Sequence, residues 1–391
     1  MSHPDGSQRP LRVMSVFGTR PDTIKMAPVV HALTADARVE SLVCVSAQHR
    51  QMLDDLLELF EIEPDYDLDV MTEHQTLTQI TVRVLERMES VLAEARPDVV
   101  LVHGDTTTST AAALAAFYAH VAVGHVEAGL RTDDRWEPYP EEMNRRLTAR
   151  LACYHFAPTI RARENLLREN VPAESIVVTG NTVIDAFLAT AARDDLPVPP
   201  RWSELDPQRP IVVLTAHRRE NHPHMRAICA AVRDIAALPE RPQIYWPVHP
   251  SPHVRPVARE MLAGANGVVL VEPLDYARMV AAIRGCTLVL TDSGGLQEEA
   301  PCLGKPVLVM REQTERPEGL EAGTLALVGH DPQRIVRTAA ELLRDAAAYA
   351  RMARAANPYG DGGAARRIVA WLLAELRGAP YPDEFVPALR G

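Results

Sequence analysis

The sequence predicts an α/β protein of two doubly wound units, each a mostly parallel sheet with helices on both faces. Two patterns and one break carry this reading. Short β-branched runs alternate along the 391 residues with segments of helical periodicity. Strand–helix–strand repetition of that kind makes a parallel sheet covered on both sides. Near the middle, Asp194–Pro210 holds five prolines in seventeen residues, the composition of a linker. The length also suits two domains of about 200 residues better than one. The first domain is therefore expected at residues 1–193 and the second from 194.

In chain order, a strand at Arg12–Phe17 runs into GTRPDTIK (Gly18–Lys25), where Gly18 permits a tight turn and Pro21 suits a first helical turn. Arg20 and Lys25 beside that helix start point to an anion site. A strand at Leu42–Val45 comes next, then a helix at Thr76–Ala95 and a strand at Val99–Val102. HGDTTTS (His103–Ser109) follows, with a helix at Thr107–Tyr118. The strand Val121–Val126 leads into HVEAGLRT (His125–Thr132), and PEEMNRR (Pro140–Arg146) opens a helix at Glu141–Leu151. A helix at Arg161–Asn170 and a strand at Ser175–Val178 complete the first unit. The second repeats the theme with strands at Ile211–Leu214, Gln243–Trp246, Val268–Val271, Thr287–Leu290 and Pro306–Met310. TAHRREN (Thr215–Asn221) follows the first of these and TDSGGLQEEAP (Thr291–Pro301) the fourth; the tail from Pro332 is helical, broken at Asn357–Gly363.

Composition narrows the function classes. With 52 acidic and 41 basic residues the formal charge is −11, which argues against a non-specific binder of nucleic acid or anionic membranes. The polar start and the lack of a long apolar run argue against secretion and membrane spanning, so a cytoplasmic protein is expected. Five cysteines (Cys44, Cys153, Cys229, Cys286, Cys302) stand singly without a CxxC pair and read as buried free thiols. Fourteen histidines include His217, His222, His224, His249 and His253, but prolines interrupt these groups and no zinc-type spacing occurs. No metal site is expected.

Ligands of doubly wound sheets bind beyond the carboxyl ends of the strands, where the polar motifs fall. Two such units facing each other would bring these loops together across one interdomain cleft. Asp105, Glu127 and Glu141 or Glu142 supply carboxylates that can move protons in both directions. Either glutamate is also what a plain helix start favours. Ser293–Gly295 lacks the spacing of a dinucleotide fingerprint or a P-loop. With Gln297, Glu298 and Glu299 behind it, the turn still suits a pyrophosphate and a ribose. His217 ends a strand before Arg218, Arg219 and Glu220, a place for phosphate binding or acid assistance.

Taken together and in order, GTRPDTIKMAP, QHRQML, HGDTTTS, GHVEAGLRT, YPEEMNRR, TGNTVIDA, TAHRREN, PVHP, TDSGGLQEEAPCLGKPVLVMR and TERPEG closely resemble the non-hydrolysing UDP-N-acetylglucosamine 2-epimerases, from about Arg12 to Ala370. The resemblance implies two Rossmann-like domains of the glycosyltransferase-B type, 1–193 and 194–378, with the active site between them and the tail 379–391 packing back on the first. It implies a homodimer that interconverts UDP-N-acetylglucosamine and UDP-N-acetylmannosamine with no cofactor, neither nicotinamide nor metal. By motif, the catalytic positions fall on Asp105, Glu127, Glu141 and His217. The UDP-binding positions fall on Arg20, Lys25, Ser293, Gly294, Gly295, Glu299 and Arg316. An allosteric UDP-N-acetylglucosamine site in some members would correspond to Gln48, Gln51, Arg218 and His249. His74 replaces an arginine of that pattern, Asp22 a more frequent glutamate, and Met279 an aromatic residue near the uracil.

The chemistry explains the need for carboxylates. The C2 hydrogen of the sugar is not acidic, since no carbonyl adjoins it. Expelling UDP from C1 while a base removes that proton yields a 2-acetamidoglucal, and protonation at the opposite face with return of UDP inverts C2. This route wants a proton-moving group on each face, cations for the departing diphosphate and exclusion of water. A glycosyltransferase would share the fold without carboxylates for both faces. A 2-epimerase, or hydrolysing 2-epimerase, for a modified UDP-sugar is the nearest alternative.

Overall fold

The computed structural model describes residues 9–46, 50–72 and 75–388, which form two compact units. The first takes the chain as far as Ala186 and regains it at Gly360–Phe385. Its strands are β1 (Leu11–Phe17), β2 (Val39–Val45), β3 (Tyr66–Asp67), β4 (Val99–His103), β5 (Ala122–Val126), β6 (Tyr154–Ala157) and β7 (Ile176–Val178). They pair in parallel in the order β3-β2-β1-β4-β5-β6-β7. Alternate residues feed two cores, one on each face: Leu11, Val13, Phe17, Val99 and Leu101 on one side, Met14, Val16, Val100 and Val102 on the other. Burial on both faces explains why these strands read as continuous apolar runs.

Helices follow the expected pattern closely. The helix Leu77–Ala95 starts where Thr76 and Gln79 form a capping box, Gln79 N donating to Thr76 Oγ1 at 3.2 Å and Thr76 N to Gln79 Oε1 at 2.8 Å. The helices Thr107–Tyr118 and Glu141–Leu151 have the expected bounds. β6 was not expected, because its sequence YHFA lacks an aliphatic run.

The second unit, Phe187–Tyr359, has β8 (Ile211–Thr215), β9 (Gln243–Pro247), β10 (Val268–Val271), β11 (Leu288–Thr291), β12 (Val307–Val309) and β13 (Leu325–Leu327). Its all-parallel order is β10-β9-β8-β11-β12-β13, the Rossmann pattern 3-2-1-4-5-6. Val212, Leu214, Trp246, Leu288 and Leu290 pack there with Ile228 and Val232 of the helix Met225–Ala236.

Two boundaries differ from expectation. The units divide between Ala186 and Phe187, inside the helix Thr182–Ala191, rather than after residue 193. The proline-rich stretch is packed into the second unit: Tyr245 Oη donates to Pro200 O and Gln243 Nε2 to Asp206 O, both at 2.8 Å. The stretch is held by hydrogen bonds to side chains of β9 rather than forming a loose linker. The return to the first unit begins at Gly360, not 379, because the helix Ala364–Arg377 buries Ile368, Trp371 and Leu372 in the first core. Trp371 meets Phe156 edge-on at 5.6 Å, and Asp185 caps the helix by accepting from Ala364 N and Ala365 N at 3.2 and 2.8 Å. Burial pushes the Asp185 carboxyl up to about 6. None of the five cysteines is in a disulfide, but Cys153 is exposed, against the expectation of burial. No helix among the described residues is long and apolar enough to cross a membrane.

Candidate functional site

In the first unit the strand order reverses between β1 and β4, the switch point at which doubly wound sheets bind ligands. Three motifs leave the sheet there. After β1, the helix Arg20–Thr34 sets Asp22 and Lys25 one turn apart on one face. Gly18 is required in this turn, since a β-carbon would lie 1.7 Å from Ser46 Oγ. The β4–β5 register places His103 opposite Val126, so Glu127 emerges beside it.

Glu127 is the hub. It is buried, 4% exposed, and holds a left-handed φ of 61°, a backbone state that costs a non-glycine residue energy and clusters at functional sites. Its Oε2 pairs with Lys25 Nζ and accepts from Asn181 Nδ2 at 3.2 Å. Arg145 Nη2 reaches its Oε1 at 3.1 Å and Arg145 Nη1 donates to its carbonyl at 3.0 Å. His103 Nε2 stands 3.8 Å from Oε2. Burial by itself would raise this carboxyl, but Lys25, His103 and Arg145 outweigh burial and hold it well below the usual carboxylate range. Arg145 also bridges to Asp105 Oδ2 at 2.6 Å, and Asn144 Nδ2 donates to Asp105 O at 2.9 Å. Behind them the buried Asp22 Oδ1 meets His103 Nδ1 at 3.1 Å.

The structure separates the two adjacent glutamates. Glu142 is buried in a structural role, accepting from Thr132 N at 3.1 Å and Arg146 Nε at 2.9 Å. Glu141 stands one turn before Arg145, and its buried Oε2 has no hydrogen-bond partner among the described residues.

The second unit repeats the device at its own switch point, between β8 and β11. Asp292, fully buried after β11, accepts at Oδ2 from His217 N, Arg218 N and Asn221 Nδ2 at 2.8, 2.9 and 2.9 Å. Its Oδ1 lies 3.2 Å from His217 Nδ1, which leaves Nε2 of that ring for a ligand. Burial lowers the His217 pKa; Asp292 opposes burial, while Arg218 and His249 add to it. The His249 ring stacks on His217 at 5.6 Å. Ser293 N donates to Thr291 Oγ1 at 2.9 Å and opens the short helix Gly294–Glu299, whose turn brings the Glu299 carboxylate back beside Gly295. A β-carbon at Gly294 would lie 2.8 Å from Glu315 Oε1, so the end of that side chain would have to move aside. Arg316 pairs with buried Glu298, and Arg218 Nη2 reaches Glu315 at 3.2 Å.

The chain as a whole has close relatives. A sequence model described as UDP-N-acetylglucosamine 2-epimerase matches residues 31–373. The chain belongs to the UDP-N-acetylglucosamine 2-epimerase family. The Escherichia coli K12 protein of that name is 53% identical over 368 residues, 92% of this chain and 97% of that one. A Neisseria meningitidis UDP-GlcNAc 2-epimerase solved bound to UDP-GlcNAc superposes with a TM-score of 0.83 at 44% identity, covering 93% of this chain and all of the other. A Listeria monocytogenes structure reaches 0.92 at 47% identity, over 96% of this chain and all of that one. Both domains are Rossmann-like and of the glycosyltransferase-B type.

Within this family member, the structure joins Asp105, Glu127 and Lys25 through Arg145 and Glu127 itself, and gathers His217, Arg218 and His249 around Asp292. Arg20 is exposed at the start of its helix and Met279 half-buried on the helix Tyr276–Gly285. Gln48 and His74 lie outside the described residues, as does the side chain of Gln51. Sequence reasoning missed His103, Arg145, Asn181 and Asp292 as parts of these clusters. Each sits inside a motif already singled out, but only strand register reveals what it touches.

Proposed function

We propose that this protein interconverts UDP-N-acetylglucosamine and UDP-N-acetylmannosamine by eliminating and re-adding UDP. The observation that carries the reading is Glu127, a buried, conformationally constrained carboxylate kept ionised beside Lys25 and Arg145. A carboxylate in that state is ready to accept a proton but binds it weakly. Lys25 resolves the conflict. When the substrate diphosphate draws Lys25 away, Glu127 loses its closest cation and its proton affinity rises where C2 is presented.

The electron accounting is complete without an external reagent. The C1–O bond to the β-phosphate breaks with its pair going to UDP, and the C2–H pair becomes the C1=C2 bond of 2-acetamidoglucal. A carboxylate takes the C2 proton. Reprotonation at the other face and return of the diphosphate oxygen to C1 complete inversion. Asp105, Glu127 and Glu141 carry the protons. His217, oriented by Asp292, assists the diphosphate. Arg20, Lys25 and Arg316 hold the diphosphate, Ser293, Gly294 and Gly295 offer backbone donors, and Glu299 takes the ribose. Arg218 and His249, with Gln48 and Gln51, remain candidates for an activating site. The family resemblance supports a cytoplasmic homodimer.

A proton NMR time course with UDP-N-acetylglucosamine tests the reading. We expect UDP-N-acetylmannosamine to accumulate to a fixed ratio with UDP still attached. Release of free N-acetylmannosamine, or no change at all, would overturn it.

A further inference from the structure

We propose that Asp22 and His103 are a positioning pair that holds Glu127 ionised and aligned from behind until the C2 proton moves; this rests on the epimerase reading. The pair is built as a row. Asp22, 3% exposed, holds His103 Nδ1 at 3.1 Å, and His103, 2% exposed, turns Nε2 toward Glu127 Oε2 at 3.8 Å. Asp22 Oδ2 and His103 Nε2 have no hydrogen-bond partner among the described residues. Burying unmatched polar atoms costs energy, so two in one row point to a contact completed in another state.

The surrounding charges say which state. Facing Glu127 are Lys25 from the first helix, Arg145 from the helix Glu141–Leu151, His103 from β4 and Asn181 after β7, with Asp105 behind Arg145 and Asp22 behind His103. A His103 donating from both ring nitrogens, Nδ1 to Asp22 and Nε2 toward Glu127, would set three cations against three carboxylates. The 3.8 Å gap exceeds hydrogen-bond reach while Lys25 holds Oε2. Once the diphosphate engages Lys25, Oε2 is released to turn toward Nε2–H, and His103 becomes the cation that keeps Glu127 from being protonated by solvent. Catalytic contacts commonly tighten in this way only in the substrate complex. Asp22 acts through His103, which acts through Glu127; neither has to touch the sugar.

The test uses the whole protein and UDP-N-acetylglucosamine. His103→Gln keeps a polar group near the Nε2 position but cannot carry the charge. We expect kcat to fall on the order of 10²-fold, KM to change less than about threefold, and the acid limb of the kcat profile to move to higher pH. Asp22→Asn, which preserves shape, should move the same limb in the same direction with a smaller loss, and it decides alone if His103→Gln fails to fold. Wild-type epimerisation in the same assay keeps this separate from the epimerase reading: without it that reading fails first. Variants with wild-type kcat overturn the pair, and so does a loss of activity with an unmoved pH profile, the mark of a merely structural role.

Discussion

Glu127→Gln should slow epimerisation by a factor on the order of 10²–10⁴, the range for losing a positioned acid or base, while UDP affinity measured by calorimetry stays within about threefold. The amide keeps the size of the side chain but leaves Lys25, Arg145 and His103 around a neutral group. Removing one partner from a buried ion cluster typically costs about 3–5 kcal/mol, so the variant should also melt lower at neutral pH. The sign of the pH dependence follows from linkage. The folded carboxyl lies below its unfolded value, so its stabilisation is full above the ordinary carboxylate range and fades as pH falls toward the folded pKa. The gap in melting temperature between wild type and Glu127→Gln should therefore narrow in acid. A gap that persists unchanged, or a variant with wild-type turnover, would remove Glu127 from the centre of the chemistry.

The second large effect is expected at Asp292. Its Oδ2 accepts three donors in a fully buried setting, two of them the backbone amides of His217 and Arg218. Asp292→Ala would leave those donors unmatched, at about 1–3 kcal/mol each, and would free the His217 ring. Thermal unfolding should lose several kcal/mol of stability, and turnover should fall by more than about tenfold even at saturating substrate, where the folded fraction is corrected for. Asp292→Asn keeps one acceptor oxygen and should recover much of the stability but little of the turnover. Equal recovery of both would reduce Asp292 to a fold-stabilising residue.

These residues show what the sequence could and could not disclose. Strand–helix alternation is a local property, so the sheet strands and the helices Thr107–Tyr118 and Glu141–Leu151 were legible. β3, β6 and β13 were not, because two residues of YD, four of YHFA and three of LAL carry too little pattern. The prolines of Asp194–Pro210 signalled a break in regular structure but not the hydrogen bonds to β9 that anchor it. At the site, motif residues stood out by type, yet Asp22 and His103 lie 81 residues apart and His217 and Asp292 75 apart. Those pairs exist only because β1 adjoins β4 and β8 adjoins β11. Residue type alone left Glu141 and Glu142 open and the motif resemblance pointed to Glu141; the partners that hold Glu142, Thr132 N and Arg146, were not legible.

In the proposed route the bond from C1 to the diphosphate breaks in every turnover. UDP-N-acetylglucosamine carrying ¹⁸O in that bridging position tests it most directly. If UDP departs and returns, its β-phosphate rotates between the two events, and ³¹P NMR should show the label spreading into non-bridging positions as epimerisation proceeds. Deuterium from D₂O should enter C2 alongside it, though enolisation after oxidation at C3 would also exchange that hydrogen. Bridging ¹⁸O that stays wholly in place through many turnovers would contradict elimination and require a route in which the glycosidic bond is never cut.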